Sequence, residues 1–296
     1  MEQCVTPLVS YSIAVDSPRR SFVASRPVAS YFLLTFAISW CAAFCVAAPH
    51  LLRHEALPQL TGILMFPAML LGPSVSGILL TGILDGRNGL RGLLSGILRW
   101  RVSPGWYLTL LLPPLLVLSV LYGFKTFVSP VYAPNRFWLG VMFGVPAGIL
   151  EEIGWTGFAF PQMKMKQSAM GAAALLGMLW AMWHLPVINF LGTATPHGKH
   201  WLSFFLAFGA AMAAMRGLIC WIYTNTESVL LAQLMHVSST GSLVIFSAPR
   251  VTAAQEALWY AAYAILLWLV VAAVVLINGT ALKRGLVVQK ERDVGR

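Results

Sequence analysis

The sequence predicts an all-α protein, a polytopic transmembrane helical bundle with about eight spans. Of its 296 residues, 58% are hydrophobic and only 10% are charged, whereas soluble domains carry about 25% charged residues. The mean hydropathy is +0.75. Apolar stretches long enough to cross a bilayer recur at approximately 29–49, 60–84, 105–128, 137–158, 172–192, 201–222, 228–248 and 256–278. These observations exclude a soluble globular domain.

The basic residues predict the orientation of the bundle. The formal net charge is +10, which in a soluble protein would suggest a nucleic-acid partner. Here Lys and Arg are distributed by side: fourteen lie on the side that carries both termini, five lie on the other, and Arg216 lies within a span. Because positive residues accumulate in cytoplasmic loops, we expect both termini in the cytoplasm and no nucleic-acid partner.

The predicted domain organisation is a single bundle with two polar ends. Residues 1–28 are expected to form a cytoplasmic arm, because they contain no apolar core followed by a cleavage site as in a signal peptide. Residues 29–278 form the bundle, and residues 279–296 form a basic cytoplasmic tail. The four cysteines have neither metal-ligand spacing nor a disulfide framework.

The segment 88–101 follows the second span and has two interpretations. Its apolar residues recur at helical spacing and its arginines lie between them, a pattern typical of an amphipathic helix on the cytoplasmic headgroups. A plain loop after the span is the alternative.

Two adjacent carboxylates, Glu151 and Glu152, lie inside the fourth apolar stretch. Each charge near the bilayer centre costs roughly 2.5 to 3.5 kcal/mol, so the pair indicates a polar cavity with a function. The alternative is that both side chains reach headgroup water from the end of the helix. Consecutive residues point about 100° apart around a helix, so the two glutamates are expected to have different roles.

Three glycines precede this pair at four-residue spacing. Gly140, Gly144 and Gly148 expose a strip of backbone on one helix face, and Pro146 frees a carbonyl group beside it. A neighbouring helix can approach closely along such a strip.

The remaining ionisable groups inside the spans are His184, Arg216 and His236. Two histidines and one carboxylate, here Glu151, form the ligand set that a divalent metal such as zinc favours in catalytic sites. The second carboxylate would then be available as a general base, and which of the two glutamates has that role stays open. For each histidine alone, the alternative is a buried imidazole bonded to a neighbouring polar group. The other histidines are expected to be solvated surface residues: His50, His54, His197 and His200.

Two further residues share faces with the histidines. Trp180 is four residues before His184, and Thr240 is four residues after His236. Residues at this spacing lie one above the other on a helix, so both are expected to support the site.

Three motifs in order carry a family resemblance. EEIGWTGFAFP (Glu151 to Pro161), GMLWAMWHLP (Gly177 to Pro186) and LLAQLMHVSST (Leu230 to Thr240) resemble the CPBP intramembrane proteases. This family, also called Abi, is named for CAAX prenyl proteases and bacteriocin-processing proteins. The resemblance covers roughly residues 60–247, with a protease-like core at about 137–247.

The resemblance implies that Glu151 and Glu152 activate the attacking water. It also implies that His184 and His236 bind a metal, or bind the water and oxyanion directly. The chain departs from the family at Thr156, where an arginine is usual, and at Thr240, where an asparagine is usual.

For each departure, a side chain in this sequence could replace the missing family residue. Arg216, a buried arginine in span six, is predicted to supply the missing positive charge and to hold Glu152 ionised. Thr240 is predicted to present a hydroxyl donor in place of the amide.

The function expected from these features is a membrane metalloendopeptidase in the bacterial inner membrane. Its substrate would be a membrane-anchored peptide or protein, cleaved near the cytoplasmic leaflet by glutamate-activated water. Two alternatives stay open. One is a non-catalytic family member that acts in peptide immunity or as a membrane scaffold; the other is a transporter whose buried charges mark a solute path.

Overall fold

The computed structural model describes residues 21–135, 137–191, 197–248 and 250–283, which form helices, turns and loops without a β-strand. This described part contains thirteen α-helices: α1 Phe22–Ser25, α2 Pro27–Leu51, α3 Gln59–Met69, α4 Leu71–Ile97, α5 Gly105–Leu108, α6 Leu112–Phe127, α7 Val141–Gly154, α8 Phe160–Lys164, α9 Ala169–Trp183, α10 Leu185–Leu191, α11 Trp201–Thr226, α12 Val229–Ile245 and α13 Ala253–Asn278. The predicted all-α fold is therefore confirmed.

In the described part of the chain, five helical stretches are long and apolar enough to cross a membrane: Pro27–Leu51, Leu60–Ile97, Gly105–Phe127, Gly198–Thr226 and Ala253–Asn278. The other three predicted spans are also helical, as α7, α9 and α12, but each is shorter. The predicted polytopic helical bundle is confirmed. The cytoplasmic placement of the termini stays a prediction.

The second stretch is bent near its end. The backbone of Gly86 has φ 59° and ψ −148°, so α4 kinks there and continues to Ile97. A side chain at this positive φ would be strained, which explains a glycine at the kink. Of residues 88–101, the structure has 88–97 as the continuation of α4 and leaves 98–101 outside a helix. Leu90 and Leu94 on this helix are exposed, and its place on the cytoplasmic headgroups stays a prediction.

Polar caps fix where the last helices begin. The side chains of Ser168 and Ser228 accept backbone N–H bonds at the starts of α9 and α12. Thr252 and Gln255 form a reciprocal capping box at the start of α13. These caps satisfy amide groups that a helix start leaves unpaired, so the register of each helix is set locally.

The glycine strip of α7 packs against α12. A Cβ atom built on Gly144 would lie 2.8 Å from the backbone nitrogen of Gly241, and one built on Gly148 would lie 2.6 Å from that of Val237. Real side chains do not fit at these distances, so the two backbones touch only because glycine is present. The predicted close approach is confirmed, and it brings the ends of α7 and α12 together.

The start of the predicted tail packs on the bundle. Leu282 is buried, and its carbonyl oxygen accepts a 2.7 Å hydrogen bond from Asn225 Nδ2. The backbone N–H of Met170 donates to the carbonyl oxygen of Thr280 at 3.0 Å. The rest of the tail, 284–296, and most of the predicted arm, 1–20, lie outside the described residues.

Candidate active site

Both glutamates lie in the last turn of α7, in the bundle interior. Their side chains are 0% exposed, so neither reaches headgroup water. The chain continues directly into a π-helical segment, Trp155–Ala159. A π-helical turn is rare and is frequently found at functional sites, because it shifts side chains relative to the preceding helix.

Glu152 is surrounded by donors from three elements. Arg216 Nη1 of α11 lies 2.8 Å from Glu152 Oε1 and 2.7 Å from Oε2. His236 Nδ1 of α12 donates to Oε1 at 2.7 Å. Thr156 lies in the π-helical segment, one turn after Glu152, and its hydroxyl donates to Oε2. Both oxygens of this carboxylate are therefore bonded.

The ion pair expected between Arg216 and Glu152 is present, with both side chains fully buried. Thr156, where the family usually has arginine, lies on the same carboxylate. The positive charge thus comes from another helix. The guanidinium carbon of Arg216 also lies 4.4 Å from the centre of the Trp180 ring, a cation–π arrangement.

Glu151 has a different set of partners. The indole N–H groups of Trp180 and Trp155 both donate to its Oε2, at 2.7 and 3.1 Å. Its Oε1 is buried and has no hydrogen-bond partner among the described residues. This carboxylate faces neutral donors on one side and has an unused acceptor on the other.

His184 is the C-cap residue of α9 and lies at the edge of a cavity. Its Nδ1 donates to the carbonyl oxygen of Trp180 at 2.8 Å, and its ring meets that of Trp180 edge-on at 5.4 Å. The cavity has a volume of about 230 Å³ and is lined mainly by apolar side chains. Trp180, His184 and Thr240 all line it.

The rings of both histidines contact the ring of Trp180. The ring centres of Trp180 and His236 are 5.0 Å apart. The structure thus brings together every predicted site residue: Glu151, Glu152, Trp180, His184, Arg216, His236 and Thr240.

The predicted metal-ligand set is His184, His236 and Glu151. Within the described ranges, no group of three or more His, Cys, Asp or Glu side chains is placed to hold a metal ion. His236 Nδ1 is bonded to Glu152 rather than shared with Glu151. The residues as arranged do not form a three-ligand site. That the protein needs a divalent metal stays a prediction, which a measurement of metal content would test.

Sequence reasoning missed two donors. The sequence patterns do not indicate a role for Trp155, and they mark Thr156 only as a departure from the family. Each lies four residues after the glutamate that it contacts, so the i, i+4 spacing was the signal that could have found them.

One surface prediction is wrong. His197 is 5% exposed, its Nε2 lies 3.0 Å from Glu256 Oε2, and its ring stacks on Phe204 at 3.8 Å. An aromatic ring from the start of α11 and a carboxylate from α13 bury this histidine, and the carboxylate is 59 positions away in the sequence.

Comparison with known proteins gives two matches. Residues 133–242 match the family model described as Type II CAAX prenyl endopeptidase Rce1-like. The chain is also 30% identical over 142 residues to a Methanococcus maripaludis protein named CAAX prenyl protease 2, a match covering 43% of this chain and 51% of the relative. The chain thus spans about half the length of the curated relative it matches.

The matched residues 133–242 include both glutamates, both histidines and Arg216. Both matches agree with the resemblance that the three motifs carry. Together with the long apolar helices, they indicate an integral membrane protein.

Proposed function

Given the match to a CAAX prenyl endopeptidase model, we propose that the protein is an intramembrane endopeptidase that uses Glu151 to activate water. Its substrate is a membrane-anchored peptide or protein whose cleavage site reaches the cavity beside His184. The observation that carries the proposal is the contrast between two equally buried neighbours. Glu152 is bonded at both oxygens, whereas Glu151 keeps Oε1 without a partner among the described residues.

Glu151 is the general base. In the proposed reaction its Oε1 takes a proton from water as the water oxygen bonds to the carbonyl carbon of the peptide. The same proton is then delivered to the nitrogen of the leaving amine as the C–N bond breaks. A positioned carboxylate of this kind contributes roughly 10²- to 10⁴-fold to the rate.

His184 orients the water or the substrate carbonyl. Because Nδ1 donates to the carbonyl oxygen of Trp180, Nε2 is the nitrogen that remains for a ligand. That bond fixes the ring at the cavity edge, since a histidine with one nitrogen committed presents the other in a defined direction.

Glu152 acts through its neighbours. It holds His236 and Arg216 in place by hydrogen bonds of 2.7 to 2.8 Å, so we assign it a positioning role. Thr240, which lines the cavity one turn after His236, supplies a hydroxyl donor to the oxyanion that forms on the peptide carbonyl.

The second candidate function, a non-catalytic family member in peptide immunity or as a scaffold, is favoured by Thr240. A threonine hydroxyl is a shorter donor than the asparagine amide usual there, and it offers a single donor hydrogen where the amide has two. The other departure, at Thr156, carries less weight because Arg216 supplies the positive charge at Glu152.

The test is cleavage of a panel of membrane-anchored peptides by the full chain purified in detergent. The parent is compared with Glu151→Ala, Glu152→Ala, His184→Ala and His236→Ala, and the folded fraction of each is measured by thermal unfolding. The proposal predicts that folded Glu151→Ala and His184→Ala proteins do not cleave. A panel left uncut by the parent and cut by none of the variants would favour the scaffold function.

Metal content is measured on the same samples. Bound zinc in the parent that is lost in the two histidine variants would assign the predicted metal to this site. Cleavage by metal-free protein in the presence of a chelator would show that glutamate and histidine suffice.

A further inference from the structure

A second cavity lies away from the two glutamates. It has a volume of about 350 Å³ and is bounded by the end of α4, the segment from the π-helical turn to α8, the end of α11 and the start of the tail. Three cations from separate segments line it, Arg99, Lys164 and Lys283, against one carboxylate, Glu227. Unlike the cavity beside His184, this one is lined by charged and polar groups.

Arg99 is held in position at this cavity. Its Nη1 donates to Glu227 Oε2 at 3.0 Å, and its carbonyl oxygen accepts a 2.6 Å hydrogen bond from Ser228 Oγ. The side chain of Glu227 is 73% exposed, so its carboxylate lies towards solvent. The carboxylate therefore orients Arg99 without neutralising all three cations.

The cavity wall also contains a hydroxyl group without a partner among the described residues and a glycine that leaves open space. Thr224 Oγ1 is buried and has no partner among the described residues, and Thr224 lines the cavity together with Tyr223. Gly92 forms part of the wall, and a Cβ atom built on it would meet nothing within 4 Å. The wall thus supplies donors and leaves room for a ligand.

We propose that this cavity binds a phosphate group, either the headgroup phosphate of an anionic lipid or inorganic phosphate. Cationic side chains and hydroxyls that converge on one space are the donors that phosphate oxygens accept. The volume lies in the range of ligand pockets and exceeds what a bare phosphate needs. All three cations belong to the predicted cytoplasmic side, where anionic lipids concentrate.

The binding would act on the segment that carries the candidate active site. Gly157 and Lys164 line the cavity, and Gly157 is five residues after Glu152. A phosphate in this cavity holds the π-helical turn at headgroup depth. The proposal does not depend on proteolysis, and neither does its test.

The experiment measures the thermal unfolding midpoint of the full chain in a nonionic detergent. Dihexanoyl-phosphatidylglycerol, the zwitterionic dihexanoyl-phosphatidylcholine and inorganic phosphate are titrated separately. A ligand that binds the folded state raises the midpoint in a saturable way. Stabilisation by phosphatidylglycerol alone identifies a lipid headgroup as the source, and equal stabilisation by inorganic phosphate identifies the free ion.

The cavity variant is Arg99→Gln with Lys164→Gln and Lys283→Gln. Its matched control is Arg91→Gln with Arg101→Gln and Lys166→Gln, which removes the same charge from exposed positions that do not line the cavity. Since each cation near an anionic headgroup is worth about a fivefold change in affinity, the cavity variant should bind at least about tenfold more weakly. The control should bind within about twofold of the parent.

Gly92→Leu fills the cavity without changing any charge. It tests phosphate binding in the cavity even if the triple variant does not fold. The proposal expects Gly92→Leu to lose the stabilisation. No saturable stabilisation of the parent by phosphatidylglycerol or phosphate would overturn the proposal. So would equal weakening in the cavity and control triples, or full binding by Gly92→Leu, since these results indicate attraction to the surface as a whole.

Discussion

Glu151 and Glu152 are neighbours in one helical turn and are equally buried, yet they have different surroundings. The Glu152 region is ionic: a guanidinium, an imidazole and a hydroxyl from three elements bond both carboxylate oxygens. The Glu151 region is neutral and aromatic, and two indole N–H groups share one oxygen while the other has no partner in the described part of the chain.

This difference shows how one helical bundle can give a positioning role to one carboxylate and a proton-accepting role to its neighbour. A carboxylate bonded on every side would lose those bonds if it took up a proton, so Glu152 is suited to hold Arg216 and His236 in place. A carboxylate with a free oxygen near a cavity can take a proton from water without breaking existing bonds. The roles follow from the roughly 100° between consecutive side chains on a helix.

The largest effect on stability is expected from breaking the ionic region. Arg216→Met leaves the Glu152 charge buried without its counter-ion, and Glu152→Gln leaves the guanidinium unpaired. Removing one partner of a buried pair costs about 3 to 5 kcal/mol. Unfolding of each variant by denaturant in detergent micelles measures this loss.

The double variant Arg216→Met with Glu152→Gln sharpens the comparison. Because neither charge remains, its loss of unfolding free energy should be well below the sum of the two single losses. Additive losses would show that the two side chains do not stabilise each other, contrary to the ion pair in the structure.

A smaller effect is expected from separating α12 from α7. In Gly148→Ala, the added carbon would lie 2.5 Å from Val237 Cγ2 and 2.7 Å from the Gln233 carbonyl oxygen. Overpacking of this kind costs about 1 to 3 kcal/mol, and it should move His236 away from Glu152 while leaving the indoles on Glu151. The measurement is the unfolding midpoint in detergent.

Gly123→Ala is the matched control, because a Cβ atom at Gly123 of α6 meets nothing within 4 Å. It should be neutral or slightly stabilising, since alanine favours helix more than glycine does. Equal destabilisation by both substitutions would contradict the role assigned to the glycine strip.

The smallest effect is expected from the aromatic region. Trp180→Phe keeps an aromatic ring at the cavity and over Arg216 but removes the N–H that donates to Glu151. We expect kcat to fall about tenfold with little change in KM, because one charge-assisted hydrogen bond to the base is lost. Trp155→Phe, which removes the longer of the two bonds, should reduce kcat less. A larger fall in Trp155→Phe than in Trp180→Phe would contradict this ranking.

Much of the fold could be predicted from composition and spacing. Long apolar runs define most of the helices, and the four-residue spacing of Gly140, Gly144 and Gly148 predicted a close neighbour without identifying α12. Burial of two adjacent charges indicated the site, because a bilayer interior penalises each of them.

The rest depends on contacts between distant residues. Arg216, which supplies the positive charge to Glu152, is 64 positions away. Spacing rules do not predict which buried cation pairs with which carboxylate. The burial of His197 against Glu256 also arises from a contact between residues 59 positions apart. The sequence patterns did not predict the π-helical turn after Gly154. Only the family resemblance and the departure at Thr156 pointed to Arg216 as the counter-ion of Glu152.

The central claim is that Glu151 is the general base, whereas Glu152 holds Arg216 and His236 in position. It is tested most directly by the single-turnover cleavage rate per folded molecule, measured for Glu151→Gln and Glu152→Gln on one membrane-anchored peptide that the parent cleaves. We predict that Glu151→Gln folds like the parent and cleaves 10²- to 10⁴-fold more slowly, roughly the contribution of a general base. Glu152→Gln should unfold more easily and keep a higher rate per folded molecule. A stable, inactive Glu152→Gln beside an active Glu151→Gln would contradict the assignment.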